Sequence, residues 1–333
     1  MEKTQSAMFG IDDDHRLIAH GPFTPCATIP DGGTAFYRNN FALTDPQPWL
    51  IPASWEIIPV RDVPEMPLPQ IDWQPPDSAA FAQVFQEISQ SIRRGTFEKT
   101  VPVSVEHGAV ISGNPLHLLH AFAKVGAPKI PYAWIDGDRG FAGATPESLF
   151  TLRGKNLHTM ALAGTARAEE KEILAVDEKE IREHEYVAQT LIAKLADLGT
   201  LHRHERGILD LGPIVHFQTL IDVELDDPIT IETLLRKLHP TPALGPLPRT
   251  RETLDLLLSW RDSLGCPAEF GAPFGLLHEG VFQCAVAIRG IWWQADQIHL
   301  PVGCGVIEAS RMVNEWRELR LKRSAVKSAI GLL

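Results

Sequence analysis

Several residues in this chain combine reactive side chains with informative spacing. Toward the C-terminus Glu315, Glu318 and Lys322 lie at i, i+3 and i+7, which on a helix places all three on one face. A solvated face with a weak Glu318–Lys322 pair explains that spacing when it is taken alone. Against it stand Trp316 and Leu319 beside the charges, and Gly303-Cys304-Gly305 just upstream, a signal of close backbone approach. Glu180, Glu183 and His184 fall on adjoining turns of another helical segment. Surface charge is again the plain explanation. The sharper one is that Glu183 and Glu315 converge on a hard cation such as Mg²⁺, which takes carboxylate oxygens and keeps much of its water. His184 fits a core or surface histidine better than a carboxylate anchor.

Glu147 follows Thr145-Pro146 on a turn between apolar strands. Desolvation there raises a carboxyl pKa and suits it to general-acid work, although capping a turn would also account for it. Lys99, between Phe97 and a valine-rich strand, is either an ordinary strand-end lysine or a desolvated base. Arg289 lies in the apolar run Cys284-Ala285-Val286-Ala287-Ile288-Arg289. A guanidinium there needs a partner, and a ligand carboxylate would meet it bidentately.

The elements that must position these groups follow from periodicity. Phe81, Val84, Phe85, Ile88 and Ile92 predict a helix from Asp77/Ser78 to a stop at Gly95. Alternation at Val101, Val103 and Val105 predicts a strand, with Pro102 marking an edge or irregularity. Residues 129–152 read as two strands around Asp136-Gly137-Asp138, and 157–163 as another. A long helix is expected over 170–198 and shorter ones over 229–239 and 250–262. A strand pair is expected at 281–293 and 297–307, and a last helix over 310–330. Residues 1–76, rich in Pro, Gly and Asp, read as short strands and turns of the same domain, anchored by Trp49, Trp55 and Trp73. Residues 77–333 read as the catalytic part. There is no strict βαβ rhythm and no G-x-G-x-x-G, which argues against a dinucleotide site.

Composition sets the outer limits. The 333 residues carry 31 Lys+Arg against 42 Asp+Glu, a net charge of −11. An apolar share of 44% with 22% charged residues is that of a globular chain long enough for a sizeable core. The acidic balance argues against a nucleic-acid partner, and it makes an anionic ligand depend on a local cation. The four cysteines, Cys26, Cys266, Cys284 and Cys304, form no C-x-x-C pair or zinc spacing and read as reduced thiols. No run of 18 apolar residues predicts a membrane span, and Met1–Gln5 shows no leader-like apolar region, so a cytoplasmic chain is expected.

Read together, these segments resemble the chorismate-utilising enzymes (anthranilate synthase component I-like) and, within them, the isochorismate synthases. The resemblance covers about residues 80–330. It is carried in order by Phe97-Glu98-Lys99-Thr100-Val101, Gly143-Ala144-Thr145-Pro146-Glu147, Ala161-Leu162-Ala163-Gly164-Thr165-Ala166-Arg167 and Glu178-Lys179-Glu180 with Glu183-His184-Glu185. It continues through Leu238-His239-Pro240-Thr241-Pro242-Ala243-Leu244, Ile288-Arg289, Gly303-Cys304-Gly305-Val306 and Glu315-Trp316-Arg317-Glu318 with Lys322. It implies an α+β fold of antiparallel sheets packed face to face with helices outside. It further implies chorismate as substrate and Mg²⁺ as cofactor in a monomer. By motif, Lys99 would activate water for attack at C2 of the ring, and Glu147 would protonate the departing C4 hydroxyl. Glu183 and Glu315 would ligate Mg²⁺, with Glu318 bound through water. Gly164, Thr165, His216, Ala243, Arg289, Gly303, Gly305 and Lys322 would line the substrate.

The subfamily rests on single residues. Ammonia-using relatives usually carry Gln where Lys99 stands, and aminodeoxychorismate synthases usually carry Lys where Ala163 stands. Both differences favour water as the nucleophile. Salicylate synthases share the lysine, acid and metal residues and go on to eliminate pyruvate. They stay open as an alternative, as does a relative that binds chorismate without turnover. The chain departs from the family pattern at Ser104, where Arg is common, at Gly245-Pro246-Leu247-Pro248, and at Pro267-Ala268, near which an Arg is usual. Menaquinone, catecholate siderophore and salicylate routes all begin with isochorismate, and the sequence does not choose among them.

Overall fold

Alternation along the strands explains why this chain makes layers. In the strand Gln5–Gly10, Ala7 and Phe9 pack into one apolar cluster while Met8 packs into another. The strand Ile130–Asp136 does the same, with Tyr132 and Trp134 on one face and Ala133 and Ile135 on the other. A strand apolar on both faces must be covered on both. The computed structural model, which describes residues 4–30 and 32–332, meets that demand with two sheets face to face and helices outside each. Met1–Lys3, part of the segment in which no leader was expected, lie outside the described residues.

The first sheet runs, from edge to edge, Ser54–Pro59, His15–His20, Gln5–Gly10, Ile130–Asp136, Arg139–Thr145, Gly290–Gln294, Gln297–Gly303, Val103–Ser112 and Gln70–Gln74. The second runs Gly199–Arg203, Ile214–Leu225, Asn156–Arg167, Ser148–Arg153, Val281–Val286, Pro273–His278, Ala35–Arg38, Trp49–Ile51 and Thr24–Cys26, with Gly207–Asp210 also on Ile214–Leu225. The neighbouring strands pair antiparallel. A two-stranded ribbon joins Lys99–Thr100 to Val306–Ile307.

The α-helices of the described residues are α1 (Ser78–Arg93), α2 (Leu118–Ala123), α3 (Lys171–Leu174), α4 (Glu178–Leu195), α5 (Ile231–Leu238), α6 (Arg251–Ser263) and α7 (Met312–Ala329). Phe81 and Ile88 of α1 and Leu319 and Val326 of α7 cover the outer face of the first sheet. Val187, Leu191 and Leu195 of α4, with Leu234 of α5 and Leu257 of α6, cover the second. Between the sheets lie Phe9, Phe36, Phe141, Phe274 and Trp292. This is the expected α+β sandwich. Strands from residues 5–74 enter both sheets. No described helix is long and apolar enough to cross a membrane. The four cysteines are free thiols.

Several expected elements differ in detail. The helix expected over 170–198 is broken, because Asp177 turns extended and caps α4 by accepting the Glu180 N–H at 3.0 Å. Residues 129–152 hold three strands. The third, Ser148–Arg153, belongs to the second sheet, so the chain crosses between sheets at Pro146-Glu147. Residues 281–293 likewise split into Val281–Val286 in the second sheet and Gly290–Gln294 in the first. Arg289 is therefore outside a strand, at the second crossing, with φ +58°. Trp49 is buried as expected and Trp73 is partly buried, but Trp55, on an edge strand, is 46% exposed.

Candidate active site

The two crossings lie side by side. The Val286 N–H donates to the Glu147 carbonyl at 3.0 Å, and the Ala144 N–H donates to the Arg289 carbonyl at 3.1 Å. Where strands leave one sheet for the other, the seam between the layers opens. A cleft of about 590 Å³ sits there, lined among others by Glu147, Thr165, Glu183, His216, Arg289 and Lys322. Gly164, Ala243, Gly303 and Gly305 line it too, so every residue expected to touch substrate is present.

Glu147 is 3% exposed, and its carboxyl accepts a hydrogen bond from Thr241 Oγ1 at 3.4 Å. Burial raises its pKa to about 7, against the hydrogen bond from Thr241 and the field of Lys99 and Arg289. It can therefore hold a proton near neutrality.

Arg289 and His216 form a pair whose proton positions follow from their partners. A carbonyl only accepts, so His216 Nδ1, 2.9 Å from the Gly164 carbonyl, carries its hydrogen. A guanidinium only donates, so His216 Nε2, 2.7 Å from Arg289 Nη2, is the acceptor. Burial and the neighbouring Arg289 push the imidazole well below its usual range, which keeps it neutral. Burial also lowers Arg289, to about 10, and leaves it charged at neutral pH. The Gly164 carbonyl is available because the pairing of Asn156–Arg167 with Ile214–Leu225 shifts register between Ala163 and Thr165. Gly164 has φ +76° at this bulge, and a side chain there would strike Phe217.

Lys99 is fully buried, behind the cleft rather than on its wall. Its backbone is fixed by pairing with Ile307 and by hydrogen bonds with Leu247. Its Nζ donates to the Pro242 carbonyl at 2.5 Å and stands 3.5 Å from Glu183 Oε1. Burial pulls its pKa below the usual lysine range, against the pull of Glu183. Gly305 separates it from the cleft. A Cβ on Gly305 would fall inside the Glu183 carboxylate and within 2.9 Å of Lys99 Nζ, so the missing side chain is what lets these groups approach.

The expected metal ligands do converge. Glu183 of α4 and Glu315 of α7 are 6% and 2% exposed. Glu183 Oε2 and Glu315 Oε1 lie 2.9 and 3.4 Å from the Lys179 ammonium. Glu315 Oε2 is buried with no hydrogen-bond partner. Burial raises the pKa of Glu315, against the pull of the Lys179 ammonium and with the push of Glu318 and Glu183. Glu318 pairs with Lys322 at 2.5 Å, and Lys322 Nζ donates to the Gly303 carbonyl at 2.9 Å. Among the described residues no three His, Cys, Asp or Glu side chains already form a metal cage. An unpartnered buried carboxylate oxygen in an all-oxygen donor set nonetheless fits a hard divalent cation. His184 is a core residue, its Nε2 2.8 Å from Thr219 Oγ1.

Sequence reasoning assigned no role to Lys179, Glu180 or Thr241. Glu180 Oε2 accepts the Thr165 N–H at 2.8 Å and so holds the bulge, and Lys179 binds three carboxylates. The signal for Lys179 was its i, i+4 spacing to Glu183. The departure at Ser104 also has a partner, since Arg323 Nη1 donates to its Oγ at 3.2 Å.

The seam of this two-sheet sandwich thus brings together a carboxyl with a raised pKa, a buried lysine, a fixed arginine and a carboxylate cluster. The model of the chorismate binding enzyme family matches residues 61–331, and the chain belongs to that family. It is 31% identical over 270 residues to the salicylate biosynthesis isochorismate synthase of Pseudomonas aeruginosa, covering 76% of this chain and 54% of that protein. It is 29% identical over 213 residues to the isochorismate synthase EntC of Escherichia coli K12, covering 57% and 51%. The chain thus spans about half the length of these curated relatives. The structure of MenF, the menaquinone-specific isochorismate synthase of E. coli, superposes with a TM-score of 0.83 at 18% identity, covering 99% of this chain and 89% of that one.

Proposed function

We propose that this protein is an isochorismate synthase, converting chorismate to isochorismate by attack of water at C2 and loss of the C4 hydroxyl. The observation that carries this reading is the pairing in one seam of Glu147, able to hold a proton near pH 7, with a desolvated Lys99 across the cleft wall. Membership of the family and the named relatives supply the substrate. Lys99, once deprotonated, takes a proton from the attacking water. Glu147 gives its proton to the leaving hydroxyl. Each transfer contributes about 10²–10⁴ in rate. Arg289, held by a neutral His216, offers its remaining N–H groups to a substrate carboxylate. Glu183 and Glu315 would hold Mg²⁺, with Glu318 nearby. When bound, that ion would neutralise a substrate carboxylate in an otherwise acidic corner.

The test is incubation of the purified protein with chorismate and Mg²⁺, followed by chromatographic separation. Isochorismate in equilibrium with chorismate supports the reading. Salicylate with pyruvate moves it to a salicylate synthase, and no product with chorismate still bound leaves a binding protein.

A further inference from the structure

Lys179 is a charged member of the carboxylate cluster that the reaction above does not use. Its Nζ donates to Glu180 Oε1 at 2.8 Å and Glu183 Oε2 at 2.9 Å, and lies 3.4 Å from Glu315 Oε1. Three carboxyl groups surround this one side chain, and two of them accept its hydrogen bonds. Lys179 thus holds one oxygen each of Glu183 and Glu315, the two carboxylates that would hold a divalent cation.

Its position matters as much as its charge. The cluster has two sides. Glu183 and Lys322 face the substrate cleft, whereas Lys179, Glu180, Glu315 and Glu318 line a second, outer cavity with Asp177 and Arg317. A cation arriving through the outer cavity meets Lys179 before it reaches Glu183. An ammonium and a divalent ion cannot share the same carboxylate oxygens at contact distance, since like charges repel strongly where water is scarce.

We infer that Lys179 is an internal competitor for the divalent cation. It neutralises the buried carboxylates when the metal is absent, and it must swing into the outer cavity when the metal binds. The inference rests on the Mg²⁺ reading above. Its consequence is quantitative. A ligand's apparent affinity falls by the fraction of protein that is competent to bind it, so a lysine in place for about nine-tenths of the time weakens Mg²⁺ about tenfold. Lys179 would thus set the magnesium concentration at which the enzyme loads.

Two measurements test it, both without substrate. The first is calorimetric titration of Mg²⁺ into wild type and Lys179→Met, which keeps the aliphatic stem and removes the competing charge. Binding at least about tenfold tighter in the variant is expected. The second uses wild type alone, so it survives a variant that fails to fold. Amine-selective labelling read by mass spectrometry should find Lys179 protected without Mg²⁺ and labelled with it. Equal affinities, or labelling at Lys179 that Mg²⁺ does not change, overturn the inference while leaving the Mg²⁺ reading intact. No Mg²⁺ binding by either protein overturns both.

Discussion

Replacing Glu147 by Gln should inactivate the protein while removing a pH-dependent cost to its stability. The carboxyl is buried, and its pKa rises from 4.5 to about 7. Between those values the unfolded chain has released this proton and the native one has kept it. Stability from this residue is therefore complete below about pH 4.5, falls as pH rises, and is gone above about pH 7. At about 1.4 kcal/mol per tenfold in proton affinity, the loss between pH 5 and pH 8 is roughly 2.5 kcal/mol. Glutamine does not titrate, and other groups contribute alike to both proteins. The unfolding free energy of E147Q relative to wild type should thus rise by roughly 2.5 kcal/mol over that interval, measured by urea unfolding at the two pH values. In the same variant kcat for isochorismate formation should drop about 10²–10⁴-fold, and wild-type kcat should decline above about pH 7 as the acid ionises. Parallel stability curves would show that Glu147 is already ionised in the native protein. Turnover within tenfold of wild type would remove it as the acid.

Three further outcomes are expected. Lys99→Ala should lose about 10²–10⁴ in turnover while its chorismate affinity, measured by calorimetry, stays near wild type; retained turnover would exclude Lys99 as the base. Gly305→Ala should cost about 10²-fold or more in kcat/KM with an unchanged circular dichroism spectrum, because its methyl group would displace the Glu183 carboxylate and crowd Lys99; near-normal activity would show that their placement does not matter. Arg289→Ala should raise KM for chorismate by about ten- to a hundredfold, the worth of a charge-assisted hydrogen bond, and an unchanged KM would place the substrate carboxylate elsewhere.

The layered fold could be read from the sequence because its strands are apolar on alternate faces and its helices have sharp caps. Asp77, Thr230 and Thr250 each cap the helix that follows, as their residue types suggest. What periodicity could not show is a change of sheet. Residues 139–153 and 281–294 are mostly apolar on both sides of each crossing, and periodicity does not tell a polar residue at a crossing from one inside a strand. That is why Arg289 was expected inside a strand. Glu147 could be found as a carboxyl between apolar strands, whereas Glu183 and Glu315 lie among other charges and could be found by their helix positions and by the order of the family motifs. Lys179 entered only as part of the motif Glu178-Lys179-Glu180. Its third partner, Glu315, is 136 residues away and reaches it only through packing of α7 beside α4.

The ribbon that fixes Lys99 has a consequence for how the molecule is made. Its partner strand begins at Val306, and its other backbone partner is Leu247, so the proposed base is anchored only by segments far along the chain. Pairings of such sequence separation are slow to form, because a long loop must close before any contact rewards it. During synthesis the strand Ile130–Asp136 can find Gln5–Gly10 early, whereas Lys99 must wait until Ile307 has emerged. Both sheets also need interior strands from beyond residue 272, so the layers close late as well, and the reaction centre forms only as they do.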